Sequence, residues 1–250
     1  MAQANGYIVY QGPSQLTGGN IVVIATGFAN KSTNSKTGDL IQTWIMSADE
    51  SPTEAANSGR DVDVCGSCRH RGIIVDGKNV DRACYVTLFQ APLNVWKTWK
   101  RGGYDPATGA QLSELTRGLK IRFGSYGDPA AVPFYVWQDM MAFAEGGTGY
   151  THAWQDASPE LADFCMASAD THAEKLAAKN KGYRTFRVKT EDAPKIKGEV
   201  TCPASKEAGQ KTNCAACLAC GGNSAKAKAS IVINAHGAVG KVNAHRRVAA

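Results

Sequence analysis

The spacing of apolar residues changes character along the chain. Near the start it is β-like. Ile21–Thr26 is a β-branched run, Leu40–Met46 is a second, and the polar, glycine-bounded stretch from Ala29 to Gly38 separates them, which predicts a pair of strands. Ser51 followed by Pro52 and Glu54 predicts a short helix with Ser51 as N-cap and proline at the first helical position, ending near Gly59. A brief strand-like run, Gly72–Val75, then meets the turn Asp76-Gly77. From Pro92 onward helix and strand signals alternate. Asn94–Arg101 reads as a helix and Lys120–Phe123 as a strand. Asp128 and Pro129 then cap a helix whose face is Pro133, Val136, Trp137, Met140, Met141 and Ala144, stopped by Gly146-Gly147. The strand Tyr150–Trp154, a short helix opened by Ser158-Pro159-Glu160, and the strand Phe164–Ser168 follow. Asp170 is expected to cap a helix that turns Ala173, Leu176 and Ala177 inward and ends at Gly182. Tyr183–Val188, Glu199–Cys202 and Ile231–Ala235 complete the strands.

Alternation of this kind is the pattern of a parallel sheet covered by helices. The expectation is an α/β fold, a (β/α) barrel or partial barrel with an N-terminal β hairpin, with an open doubly wound sheet as the alternative. One domain is expected over 1–250. It divides into a β-rich extension at 1–60, a cysteine loop at 61–91 and a cysteine-cluster segment at 202–222. Ser224–Ser230, rich in alanine and lysine, reads as a surface connector. In such folds ligands gather at the carboxyl ends of the strands.

Composition narrows the class. With 43% hydrophobic and 20% charged residues the 250-residue chain is that of a folded protein, and wholesale disorder is excluded. Its apolar runs are too short to cross a bilayer, and Met1–Gly12 lacks the charged and apolar regions of a secretory leader, so a cytoplasmic protein is expected. The formal charge of +6 does not define a nucleic-acid binder, because four thiolates around a divalent metal subtract two charges per site.

The eight cysteines carry the clearest chemistry. Cys202, Cys214, Cys217 and Cys220 form one group, with the C-x2-C-x2-C run followed by Gly221-Gly222. Cys65, Cys68 and Cys84, with Cys165 far downstream, form the other. Four thiolates are what a tetrahedral zinc or a cubane iron–sulfur cluster needs, and clustered cysteines in an intracellular chain point to metal rather than disulfides. A C-x2-C-x2-C run suits a [4Fe-4S] cluster, and one or two clusters are expected, with zinc as the alternative. His70 is an optional ligand of the first group. Cys84 and Cys165, each flanked by apolar residues, read equally well as buried inert thiols.

Asp128, His152 and His236 sit near predicted strand ends and are the candidate catalytic groups, with ordinary capping or rim roles as the competing reading. Gly124–Pro129 and Asn34–Gly38 are weak anion-loop candidates that lack the spacing of phosphate-binding motifs. Trp96, Trp99, Lys97, Lys100, Arg101 and Tyr104 interleave aromatics with cations, as single-strand nucleic-acid sites do, but at helical spacing they also form a core stripe. Arg246-Arg247 adds little to that reading. As an enzyme the protein is expected to run redox or radical-type chemistry on a small or nucleotide-derived substrate; the alternative is a zinc-stapled module that binds host protein or nucleic acid.

Several of these segments together resemble a known group. They are Gly12–Ser14, Ile21–Gly27, Ser35–Gly38, Cys65–Gly72, Arg82–Tyr85, Arg122–Ala130, Phe164–Ser168, Tyr183–Val188, Thr201–Ser205 and the last cysteine triplet. The chain is similar over nearly its whole length to a family of bacteriophage proteins related to phage domains named after a numbered gene product. The resemblance implies a phage or prophage origin and action in the bacterial cytoplasm, and it carries no activity. A fainter likeness links the chain to radical-SAM enzymes, whose C-x3-C-x2-C loop and glycine-rich SAM segment it lacks.

Overall fold

The protein is described by a computed structural model covering residues 4–249. Met1–Gln3, the start of the segment read as lacking a leader, lie outside the described residues. Strands β1 (Gly6–Pro13), β2 (Asn20–Thr26) and β3 (Ile41–Ser47) form an antiparallel meander. Helix α1 (Pro52–Ser58) starts as expected: Ser51 and Glu54 close a reciprocal capping box and Gly59 ends the helix with left-handed backbone at φ 85°. Helix α2 (Val62–Cys65), the exposed hairpin β4 (Ile73–Val75) and β5 (Lys78–Val80), α3 (Ala91–Lys100), β6 (Asp105–Pro106) and α4 (Gly109–Leu115) come next. The remaining elements are β7 (Lys120–Tyr126), α5 (Phe134–Met141), β8 (Gly146–Thr151), β9 (Met166–Ser168), α6 (His172–Asn180), β10 (Thr185–Lys189), β11 (Glu199–Thr201), α7 (Cys214–Cys217), β12 (Ser230–Asn234) and α8 (Val239–Ala249).

Ten strands form one mostly parallel sheet in the order β11-β12-β10-β9-β8-β7-β3-β2-β1-β6. From β3 through β7, β8, β9, β10 and β12 to β11 every pairing is parallel. Alternate residues divide the sheet into two faces. On one face Phe123 meets Trp137 of α5, ring centroids 5.2 Å apart, and Trp137 donates its indole N–H to the Pro129 carbonyl at 3.0 Å. Ile121, Val136 and Met140 complete this packing. On the other face Tyr150, Met166, Phe186, Ile231 and Ile233 pack against Cys202, Ala204, Ala219 and Cys220.

The register slips between Gln42 and Trp44, and the Thr43 hydroxyl fills the gap by donating to the Arg122 carbonyl (3.0 Å) and accepting from the Gly124 N–H (2.9 Å). This irregularity re-aims the end of β7.

Three local expectations are corrected. The helix predicted from Pro129 to Ala144 is broken. Pro129–Ala131 is a single 3-10 turn, Val132 is extended (φ −107°, ψ 137°), and α5 starts only after Pro133. Proline disfavours helical backbone in the residue before it, and it has no N–H for the ladder. Gly146-Gly147 does not stop a helix but opens β8, which ends at Thr151, short of Trp154. A Cβ at Gly147 would lie 2.6 Å from the Phe123 ring, so glycine lets the strand pass that side chain. Asp170 is not the cap of α6. Thr171 caps it, in a box with Glu174. Strands β1 and β6 and helices α4, α7 and α8 carry no clear sequence signal. Among the described residues no helix is long and apolar enough to cross a membrane.

Trp137 is fully buried, so Trp137→Ala should cost about 3–5 kcal/mol of unfolding free energy in urea titration. A loss below about 1 kcal/mol would show that α5 does not anchor this face.

Candidate functional site

The parallel strands bring chemistry-bearing residues to one end of the sheet. Asp128 follows β7, His152 follows β8, Asp170 follows β9, Cys202 follows β11 and His236 follows β12. The 61–91 loop reaches the same end. The Asp128 N–H donates to the Val64 carbonyl at 2.6 Å, which docks α2 beside the end of β7.

Cys65, Cys68 and Cys84 face one another there. Gly66, at φ 55°, turns the loop between the first two. The Cys84 N–H donates to the His70 carbonyl at 2.9 Å, and the His70 N–H points at the Cys68 sulfur. Burial, then the proximity of Cys68, Asp61 and Cys84, raises the Cys65 thiol well above its ordinary value against the pull of Arg82. Burial pushes Cys68 up to about 12, with Cys84, Asp128 and Asp170 adding to it and the His70 N–H opposing.

Cys165 is fully buried just before β9, on the helix-covered face, where a Cβ on Gly149 would lie 2.5 Å from its sulfur. Burial raises its thiol, and Asp128 adds to the effect. Cys65 packs against the same core cluster as Cys165, and Asp128 acts on both Cys68 and Cys165.

The second group is assembled from three segments on the opposite face. Cys202 follows β11. Cys214 and Cys217 bound α7, which Asn213 caps by accepting from the Ala216 N–H at 2.9 Å. The Asn34–Gly38 loop positions this helix, since the Lys36 and Thr37 carbonyls accept from the Cys214 and Ala215 N–H groups at 2.9 and 3.0 Å. Asn34 takes the loop's own N–H groups at Lys36 and Thr37, so its role is structural rather than anion binding. Cys220 lies on β8, its carbonyl accepting from the Gly149 N–H at 3.1 Å. Gly221 then permits a close pass, because a Cβ there would lie 2.5 Å from the Gly147 carbonyl.

All four thiols of this group interact electrostatically. Burial pushes Cys220 up to about 12, opposed by the Tyr150 hydroxyl and reinforced by Cys202, Cys214 and Cys217. Burial also raises Cys214, against the cations Arg122 and Lys36. Arg122 connects the two groups, for it donates to the Tyr85 hydroxyl at 2.7 Å, one residue past Cys84. The eight cysteines are free thiols.

Six buried side-chain polar atoms lack a hydrogen-bond partner among the described residues; four of them lie at the cysteine groups and a fifth beside His70. Asp61 Oδ2, Arg82 Nε and Tyr126 Oη surround Cys65, and charge interactions of Tyr126 reach Cys65, Asp61, Arg82 and Cys84. Arg184 Nε lies near Cys220, its two other nitrogens already donating to Gly222 and Ala229. His245 Nε2 is the fifth.

The three candidate catalytic groups have different surroundings. Asp128 is committed to the backbone. Oδ1 accepts from Ala130 at 3.0 Å, and Oδ2 accepts from His152 at 2.7 Å and Ala153 at 3.4 Å. Those bonds set the position of His152, whose imidazole burial keeps less basic than usual, against the attraction of Asp170. His236 is exposed, 3.2 Å from Lys36 Nζ. Trp96 and Trp99 pack against the core under Lys100, and Trp96 donates to the Ser47 carbonyl at 3.0 Å, so these rings serve as a core stripe.

Asp170, Tyr126, Arg82, Arg184 and His245 carry no motif of their own. Only the position of Asp170 after a strand marks it. A cavity of about 480 Å³ lined by Gly66, Ser67, Arg71, Trp137, Ala153 and Asp156 adjoins the first cysteine loop. The chain matches no protein-family model, no curated protein and no solved structure.

The raised thiols fix a pH dependence. A free cysteine titrates near about 8.5, whereas Cys68 and Cys220 are held at about 12. The fold therefore favours the neutral form. That contribution is complete below the unfolded value and is lost as pH rises towards the folded one. The melting temperature of metal-free protein should fall as pH rises above about 8.5, and Cys68→Ser and Cys220→Ser should flatten the decline. A melting temperature unchanged across that window would contradict the burial argument.

Proposed function

We propose that the protein is an iron–sulfur protein with two cysteine-ligated centres, one at the carboxyl end of a barrel-like parallel sheet and one on the sheet's opposite face. Cys202, Cys214, Cys217 and Cys220 hold one, a [4Fe-4S] cluster. Cys65, Cys68 and Cys84 hold the other and leave one position for a ligand other than cysteine. The order β3-β7-β8-β9-β10 follows the chain, as in a barrel, while β12 and then β11 extend the sheet out of chain order.

The observation that carries the proposal is the set of unpartnered donors beside the thiols: Tyr126 Oη and Arg82 Nε at the first group, Arg184 Nε at the second. Each such buried group costs about 1–3 kcal/mol. Inorganic sulfides bound between the cysteines would accept these bonds, and hydrogen bonds to sulfur are among the protein's means of setting a cluster's potential. Zinc demands sulfurs about 3.8 Å apart, from tetrahedral bonds of 2.3 Å. Among the described residues no three sulfurs lie within 4.8 Å of one another, which supports the larger cluster over a zinc staple. The cavity beside Gly66 and Ser67 has the size of a small-molecule site, which supports a small or nucleotide-derived substrate. Action in the bacterial cytoplasm, as the phage resemblance implies, belongs to the same proposal.

Anaerobic purification from iron-supplemented cells, with an absorption spectrum and elemental analysis of one sample, tests it. Two cubane clusters give a brown protein with about eight irons per chain. Cys217→Ala should remove about half of that iron and lower the melting temperature. A colourless protein with about two zincs would replace this reading with a zinc-stapled binding module. Unchanged metal and melting in Cys217→Ala would remove the second centre.

A further inference from the structure

We propose that His70, His152 and Asp170 form a mononuclear site for a divalent transition-metal ion, separate from both cysteine groups. Among the described residues these three are the one set of metal-ligating side chains whose ligand atoms all lie within 4.8 Å of one another. They come from different elements. His70 lies in the 3-10 turn Arg69–Arg71, His152 just past β8 and Asp170 just past β9. Asp170 Oδ2 is 3.1 Å from His70 Nε2 and 3.9 Å from His152 Nε2, and its side chain is 7% exposed.

Two imidazoles and one carboxylate are a donor set for Fe(II), Zn(II) or Mn(II), with coordination positions left for water or substrate. The scaffold fixes all three ligands. The Asp128 carboxylate holds the His152 backbone, the His70 carbonyl accepts from Cys84, and the Asp170 N–H donates to Glu174 Oε2 at 2.7 Å. Arg71 and Ala153, adjacent in sequence to the two histidines, line the cavity of about 480 Å³.

A second observation points to the same place. His245 of α8 stacks on His70, with ring centroids 5.3 Å apart and planes 22° from parallel. It is 4% exposed, and its Nε2 has no partner. A buried imidazole edge left unpaired beside this trio is what a bound ion and its water would satisfy. One cation competes for Asp170: Arg69 Nε lies 3.5 Å from Oδ2. Its shorter contact is to Glu174, at 2.5 Å, so Arg69 keeps a carboxylate partner when a metal takes Asp170.

Mn(II) is the probe, because it prefers nitrogen and oxygen donors over thiolates. Full-length protein as purified is titrated with Mn(II) and followed by electron paramagnetic resonance. The expected result is one bound Mn(II) per chain, with pulsed spectra showing two coordinated imidazole nitrogens. His152→Ala and Asp170→Asn should each weaken binding at least about tenfold, while Glu160→Gln, at an exposed carboxylate outside the trio, leaves it unchanged. No bound Mn(II), no imidazole coupling in the wild-type spectrum, or equal binding in both variants would overturn the site. Either outcome leaves the proposed centre at Cys202, Cys214, Cys217 and Cys220 untouched, since none of the trio belongs to that group.

Discussion

Parallel pairing is the constraint on which the rest of this structure depends. With β3, β7, β8, β9, β10, β12 and β11 all running the same way, the segment leaving each of them starts at one end of the sheet. That geometry gathers Asp128, His152, Asp170, Cys202 and His236, spread over more than a hundred residues, without any of them being close in sequence. The 61–91 loop joins them because the Asp128 N–H holds Val64. Helix α5 covers one face through Trp137, which leaves the other for the segment that carries the second cysteine group.

Close approach is what makes that second face work. The Cys220–Gly222 stretch passes so near β8 that side chains at Gly221 and Gly222 would strike the backbone of Gly147 and of Ala162–Phe164. The Lys36 loop fixes the other end of the segment through two backbone bonds to α7. Cys202 and Cys220 are buried there, and Cys214 and Cys217 half-buried. Burial raises the thiols of Cys202, Cys214 and Cys220, so metal loading as proposed would expel protons and tighten as pH rises. Lys36 and Arg122, close to Cys214, offset part of the negative charge that four thiolates would bring.

Much of this was legible in the sequence, for identifiable reasons. The strand–helix alternation, the Ser51 cap, the glycines after Cys220 and the rim placement of Asp128, His152 and His236 each follow from local rules. What was not legible depends on contacts between distant segments. Cys165 resembled a fourth ligand by number alone, yet the pleat turns it to the face opposite Met166, against Gly149 and Phe123. Pro133 broke a helix whose apolar period was intact, because the period records burial and not the missing N–H. Asp170 looked like a cap because Thr171 beside it was the better one, and the freed carboxylate turned to His70. Tyr126, Arg82 and Arg184 could not be singled out from sequence, since an unsatisfied donor is a property of the packed interior.

On the proposed function the two cysteine groups enclose metal. Anomalous diffraction from anaerobically grown crystals, collected on either side of the iron absorption edge, tests it most directly. The expected result is an iron peak enclosed by Cys202, Cys214, Cys217 and Cys220, with Arg184 Nε directed at it, and a second peak beside Cys65, Cys68 and Cys84. Sulfurs in van der Waals contact with protein alone, with no anomalous density among them at any transition-metal edge, would contradict it.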